Sequence, residues 1–144
     1  MPLHMVKLCV GADSVEDLQS WVRERLDAAR HEGRPVEQIH QTRMQPKRES
    51  EILGGGSLYW VIKGNVQVRQ PILALRPITD GEGIRRCHIV LEPVFIATEW
   101  QPRKAFQGWR YLDAGDAPRD ITEDSDISSF PPDLRRELAQ LGLL

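Results

Sequence analysis

Apolar residues along this chain switch between alternating and helical spacing, and each switch marks a predicted element. Leu3 to Val10 reads as a strand, with Val6, Leu8 and Val10 on one face and Leu3, Met5 and Cys9 on the other. Apolar side chains on both faces place that strand inside a sheet rather than at its edge. From Asp13 to Arg30 the period becomes helical: Val15, Leu18, Val22, Leu26 and Ala29 form a stripe, while Arg23, Glu24 and Asp27 fall on the wet side. Asp13 or Ser14 caps this helix, Glu16 and Asp17 complement its positive end, and Gly33 with Pro35 stops it. Val36 to His40 predicts a short strand, and Glu49 to Leu53 a helical turn beyond Pro46.

The second half of the pattern is β-rich. Gly54-Gly55-Gly56-Ser57 lacks the Gly-Lys-Ser/Thr ending of a phosphate loop and precedes a strand instead of following one, so it reads as a flexible turn. Leu58 to Lys63 and Val66 to Leu75 form a hairpin about Gly64-Asn65. A two-residue loop there pairs Lys63 with Val66 and sets Trp60 opposite Arg69. A three-residue loop through Val66 pairs Ile62 with Val68, and hydrophobic matching favours it. Pro71 removes a ladder donor, which makes the second strand an edge or a bulge at that point. Thr79 to Gly83 is a turn, Arg85 to Glu92 and Val94 to Thr98 are strands, and Trp100 to Arg110 is a loop. Trp109 to Leu112 is a last strand, 113–129 an acidic linker, and 130–144 a helix with Leu134, Leu138 and Leu141 in line.

Composition narrows the class. The 144 residues, 40% hydrophobic and 28% charged, suit one soluble domain, here 1–144 with its core in 1–112. With no apolar leader and no apolar run long enough to span a bilayer, the expected location is cytoplasmic. Cys9 and Cys87 are too few for a disulfide framework or zinc site and read as buried small hydrophobes in a reducing compartment. Residues 34–112 carry 12 basic and 7 acidic side chains, whereas 113–144 carry 3 and 8. The basic middle is either a binding face or the surface that the acidic tail covers.

Catalytic and metal motifs are absent. Ser57 is not in a G-x-S-x-G elbow, the four histidines are scattered singly, and the acidic residues 120–126 lack the glycine of a calcium loop. No cofactor is implied. What the sequence does show is aromatic residues interleaved with basic ones: Tyr59, Trp60, Lys63 and Arg69 in the hairpin, and Phe106, Gln107, Trp109 and Arg110 near the last strand. Aromatic faces stack on bases and cations neutralise phosphates. With Arg43, Lys47, Arg48, Arg103 and Lys104 these residues form a candidate surface for RNA or a nucleotide. Two alternatives stand beside it. One is a small hydrolase or base-modifying enzyme whose composite pocket joins Arg69 to Glu99, His88 or Gln107. The other is an interaction module, such as a homodimer formed through an exposed edge near Pro71.

The stretches VKLCVG, LGGGSLYWVIKGNVQVRQPIL, FQGWRYL and PPDLRRELAQLGLL resemble the small bacterial proteins of domain-of-unknown-function family 1489, a likeness that runs along essentially the whole chain. That family brings no activity with it. A shorter likeness, VIKGNVQVR, is similar to ASCH-type domains of the PUA-like superfamily. It implies a small β-barrel with flanking helices, RNA or modified bases as ligands, and Lys63, Gly64 and Arg69 near the cleft. The Lys and Glu usual between that glycine and arginine are replaced here by Asn65, Val66, Gln67 and Val68. The expected fold is therefore α+β, a small, curved, mainly antiparallel sheet or a PUA-like barrel, with an N-terminal amphipathic helix and a C-terminal helix.

Overall fold

The computed structural model describes residues 2–121. Its elements, in chain order, are β1 (Leu3–Leu8), α1 (Val15–His31), β2 (Gln38–Thr42), α2 (Glu49–Leu53), β3 (Ser57–Ile62), β4 (Asn65–Thr79), β5 (Arg85–Leu91), β6 (Ile96–Pro102) and β7 (Trp109–Asp113). The strands order as β2-β5-β4-β3-β1-β7, with β6 also on β4. The fold is the expected α+β class. Of the two expected sheet forms the open one is found: among the described residues no strand joins the β2 edge to the β7 edge. The predicted C-terminal helix lies outside the described residues.

The interior position predicted for the first strand holds. β1 runs parallel to β3 from Met5↔Leu58 to Leu8↔Val61 and antiparallel to β7 on its other side. Its two apolar faces serve two clusters. Leu3 and Met5 join Leu58, Trp60, Ile62 and Val68 beneath α1, whose Val15, Leu18 and Val22 are buried against them. Val6 packs on the opposite face with Tyr59, Val61, Val66 and Leu112. Each of these fully buried aliphatic side chains contributes roughly 2 kcal/mol. β3 lies between the clusters, so all six of its residues are buried. Ser14 caps α1 by accepting from the Asp17 N–H at 3.2 Å.

Two local readings are corrected. First, neither proposed hairpin loop forms. The loop is Lys63-Gly64, both at positive φ (49° and 82°), the backbone of a type I′ turn, and it pairs Ile62 with Asn65. The register then shifts by one residue, so that Trp60 pairs Val68 and Tyr59 pairs Arg69. The extra residue is Gln67, whose amide nitrogen donates to the Ile62 carbonyl at 2.7 Å. Tyr59, not Trp60, therefore shares a face with Arg69. Second, the glycine run turns the chain at Gly54 and Gly55 as expected, but Gly56 is required by a close approach. A Cβ on Gly56 would lie 2.2 Å from the Leu3 carbonyl oxygen and 2.6 Å from that of Ile52, so the backbones meet there with no room for a side chain.

Prolines behave as sheet chemistry requires, though not where expected. Pro71 is no edge: it pairs with Ser57, and its carbonyl accepts from the Glu92 N–H at 3.0 Å. It sits where β4 changes partners, after Arg69↔Ile96 on β6 and before Ile72↔Leu91 on β5. A missing N–H does little harm at such a junction. Pro71 itself therefore offers no free edge. β4 also runs on through Pro77, four residues beyond the predicted Leu75 end, because among the described residues it pairs there with β5 alone.

Candidate functional site

Pairing Tyr59 with Arg69 brings a group of polar residues together on the face that carries Val6, Val61 and Leu112. Arg69 directs its guanidinium toward Asp120, with Nε and a terminal nitrogen each 2.8 Å from a carboxylate oxygen. Its other terminal nitrogen donates to Ser57 Oγ at 2.7 Å. The Ser57 N–H donates to His4 Nδ1 at 2.9 Å, and the His4 ring meets Tyr59 edge-on at 5.0 Å. His4, Tyr59, Arg69 and Asp120 line an open concavity of about 340 Å³ with Gly55 and Arg119, and Ser57 is buried beneath them.

Each partner is placed by backbone. His4 and Ser57 begin neighbouring strands, and Tyr59↔Arg69 is a register pair. Asp120 is set by 119–121 lying along β6: the Arg119 carbonyl accepts from Glu99 N–H at 2.8 Å, and Ile121 N–H donates to the Ala97 carbonyl at 2.9 Å. Those residues fall in the predicted linker.

The electrostatics follow from burial and from Arg69. Burial pushes the His4 imidazole below its usual value, Arg69 pushes the same way, and Asp120 opposes both. His4 is therefore neutral at pH 7. Its Nδ1 is occupied as an acceptor, so its proton sits on Nε2. Burial raises the Tyr59 phenol, and the hydrogen bond to Asp120 raises Arg69.

The arrangement is suited to holding an oxyanion. It is not a nucleophile and base: Ser57 is wholly buried with Oγ facing a cation, and the His4 Nδ1 lone pair meets the Ser57 N–H rather than its hydroxyl. Among the described residues no three His, Cys, Asp or Glu side chains cluster as metal ligands, and no helix is long and apolar enough to cross a membrane.

The other sequence-singled residues do not converge here. Trp60 lies in the core under α1, its indole N–H donating to Gln70 at 2.9 Å. Trp109 is buried and donates to the Met44 carbonyl at 2.9 Å. Tyr111 accepts from the N–H groups of Lys47 and Arg48, and Arg48 pairs with Glu51 at 2.7 Å. The interleaved aromatics near the last strand thus pin the 43–48 loop. Arg110 covers Phe106 and donates to the Gln107 carbonyl. Lys63 is 4.0 Å from Asp13, the Arg103 N–H donates to the Gly64 carbonyl, and Lys104 is exposed. Arg43 lies in a separate groove with Arg85 and Arg86. Of the partners expected for a composite pocket, Glu99 pairs with Arg119, His88 contacts Gln41 and Gln107 serves Arg110; none of them meets Arg69.

His4, Ser57 and Asp120 were not anticipated as partners of Arg69. One signal was available: an arginine on an interior strand needs an anion, and an interior histidine needs a partner.

Searches of the curated proteins and of the solved structures each return no match. The family described as protein of unknown function (DUF1489) matches residues 5–144. That match spans nearly the whole chain, including β1 from Met5 onward, the Ser57–Arg69 hairpin and the segment carrying Asp120, and the chain therefore belongs to this family.

Proposed function

We propose that the protein is a non-catalytic binding module for the phosphate of a nucleotide or of single-stranded RNA, with Arg69 as its central contact. The observation that carries this reading is the bidentate geometry at Arg69. Its fork already holds a planar oxyanion, the Asp120 carboxylate, at the floor of an open concavity. A phosphate presents the same two acceptor oxygens to the same donors. His4 and Arg119 stand in the same lining, and Arg119 keeps one terminal nitrogen beyond the two that reach Glu99. Tyr59 is 4% exposed, so it supports the pocket wall instead of offering a stacking face.

The test is fluorescence anisotropy of a labelled single-stranded RNA against salt, in the native protein and in an R69Q/D120N double variant. The double change removes both charges without leaving either alone in a part-buried site. Binding that weakens with salt and is lost in the double variant supports the reading. Equal binding by both proteins overturns it.

A further inference from the structure

A second basic site lies at the far end of β4. A groove of about 430 Å³ there is lined by Arg43, Arg85 and Arg86, with Gln45, Pro77, Ile78 and Thr79 forming its wall. Among the described residues no carboxylate lines it. Arg43 and Arg85 are exposed and meet no carboxylate among the described residues, in contrast to Arg48, Arg69 and Arg76.

The groove is a built one. Asp80 accepts from the N–H groups of Glu82 and Ile84 at 2.9 and 3.0 Å, which fixes its carboxylate in the β4–β5 turn. Asp80 then holds Arg86 through Nε at 2.7 Å, leaving both terminal nitrogens of Arg86 for another acceptor. The β2–β5 register, carried one residue beyond Thr42↔Cys87, sets Arg43 opposite Arg86, and Thr79 pairs Arg85. Like charges facing each other across strands destabilise a sheet. Asp80 offsets one of the three cations and leaves two. Among the described residues that leaves a local repulsion, which an anionic ligand would relieve.

We infer that this groove is a second phosphate subsite, and that the ligand is a single-stranded polynucleotide bridging it to Arg69 rather than a free nucleotide. This rests on the reading of the Arg69 pocket as a phosphate site. Arg69 and Ile78 lie on one strand, so the two sites stand up to roughly 30 Å apart. One nucleotide cannot span that distance, whereas a flexible strand can. Its sugars would lie against Pro77 and Ile78, and its phosphates against the guanidinia. Each phosphate contact adds to the salt dependence.

The experiment compares uridine monophosphate with oligouridylates of about 4 and about 16 nucleotides. Binding is measured in the native protein, in R43Q/R85Q and in R69Q/D120N, with inorganic phosphate as competitor. The longer strand is expected to bind the native protein at least roughly tenfold more tightly than the shorter one. R43Q/R85Q is expected to lose that advantage while keeping its affinity for the monophosphate. Without RNA, R43Q/R85Q should be no less stable than the native protein, since a repulsion has been removed. Equal affinity for both lengths, or an undiminished length effect in R43Q/R85Q, overturns the bridging inference and leaves the Arg69 pocket standing. Inorganic phosphate should displace the long strand less readily from the native protein than from R43Q/R85Q, and equal displacement from the two counts against the inference. Failure of every ligand, the monophosphate included, removes the pocket reading itself.

Discussion

Replacing Asp120 by Asn separates a ligand site from a structural ion pair, because the two predict opposite changes in affinity. The substitution keeps the size of the side chain and one acceptor oxygen but removes the charge facing Arg69. At a charge separation of roughly 4 Å and an effective dielectric of about 20, the attraction is about 4 kcal/mol. The side chains of Arg69 and Asp120 remain 21% and 35% exposed, so solvent screening and the entropy of ordering reduce the net value to roughly 1–2 kcal/mol. An incoming phosphate must displace the carboxylate, and the same free energy opposes its binding. Asp120→Asn should therefore lower stability in urea by roughly 1–2 kcal/mol and raise affinity for adenosine monophosphate roughly tenfold. Isothermal titration and urea unfolding on the same samples give both numbers. The His4 imidazole provides an internal check: Asp120 is the influence that raises it, so its titration should move further down in the variant. Affinity that falls together with stability would refute the displacement account, because the carboxylate would then belong to the binding arrangement.

Four further outcomes follow. Burial pushes the His40 imidazole down to about 4, with Lys7 and Arg25 acting the same way, and its Nε2 has no partner within the described chain. Its folded value lies below the unfolded 6.5, so its contribution is complete above pH 6.5 and is lost as pH falls toward 4; native minus His40→Gln stability should drop by roughly 3 kcal/mol over that window, measured by urea unfolding. Gln70→Leu strands the Trp60 indole N–H and the Gln38 amide and should cost about 3 kcal/mol, with a change in Trp fluorescence. Gly56→Ala drives a Cβ into two carbonyl oxygens and should cost at least about 3 kcal/mol or prevent folding, read by circular dichroism. Lys63→Asn places a residue that tolerates positive φ in the type I′ turn and should raise stability by up to about 1 kcal/mol in thermal unfolding.

Elements set by local chemistry were legible in the sequence, and those set by distant partners were not. Helix α1 was visible because Val15, Leu18 and Val22 repeat at helical spacing behind a Ser14 cap. The interior place of β1 was visible because both of its faces are apolar. The hairpin register was hidden by Lys63, a side chain that rarely takes the left-handed conformation it adopts here, and by Gln67, which a regular ladder does not accommodate. The length of β4 was hidden by Pro77, which is tolerated because among the described residues β4 pairs there with β5 alone. For the candidate site, Arg69 and Tyr59 were both singled out, but their pairing required the bulge. Asp120 lies 51 residues from Arg69 and His4 lies 53 from Ser57, so no local spacing could join them. Charge counting marked the middle of the chain as basic without showing that Arg48, Arg69 and Arg76 each meet a carboxylate.

The central claim is that Arg69 receives a ligand phosphate in place of Asp120. An NMR titration with adenosine monophosphate, following the Arg69 Nε–H and His4 ring resonances, tests it most directly. The account predicts a saturable shift of both resonances, with the Asp120 carboxylate carbon moving as its guanidinium partner is taken. Resonances at Arg69, His4 and Asp120 that stay fixed while the ligand saturates elsewhere, or while no binding occurs, would contradict it.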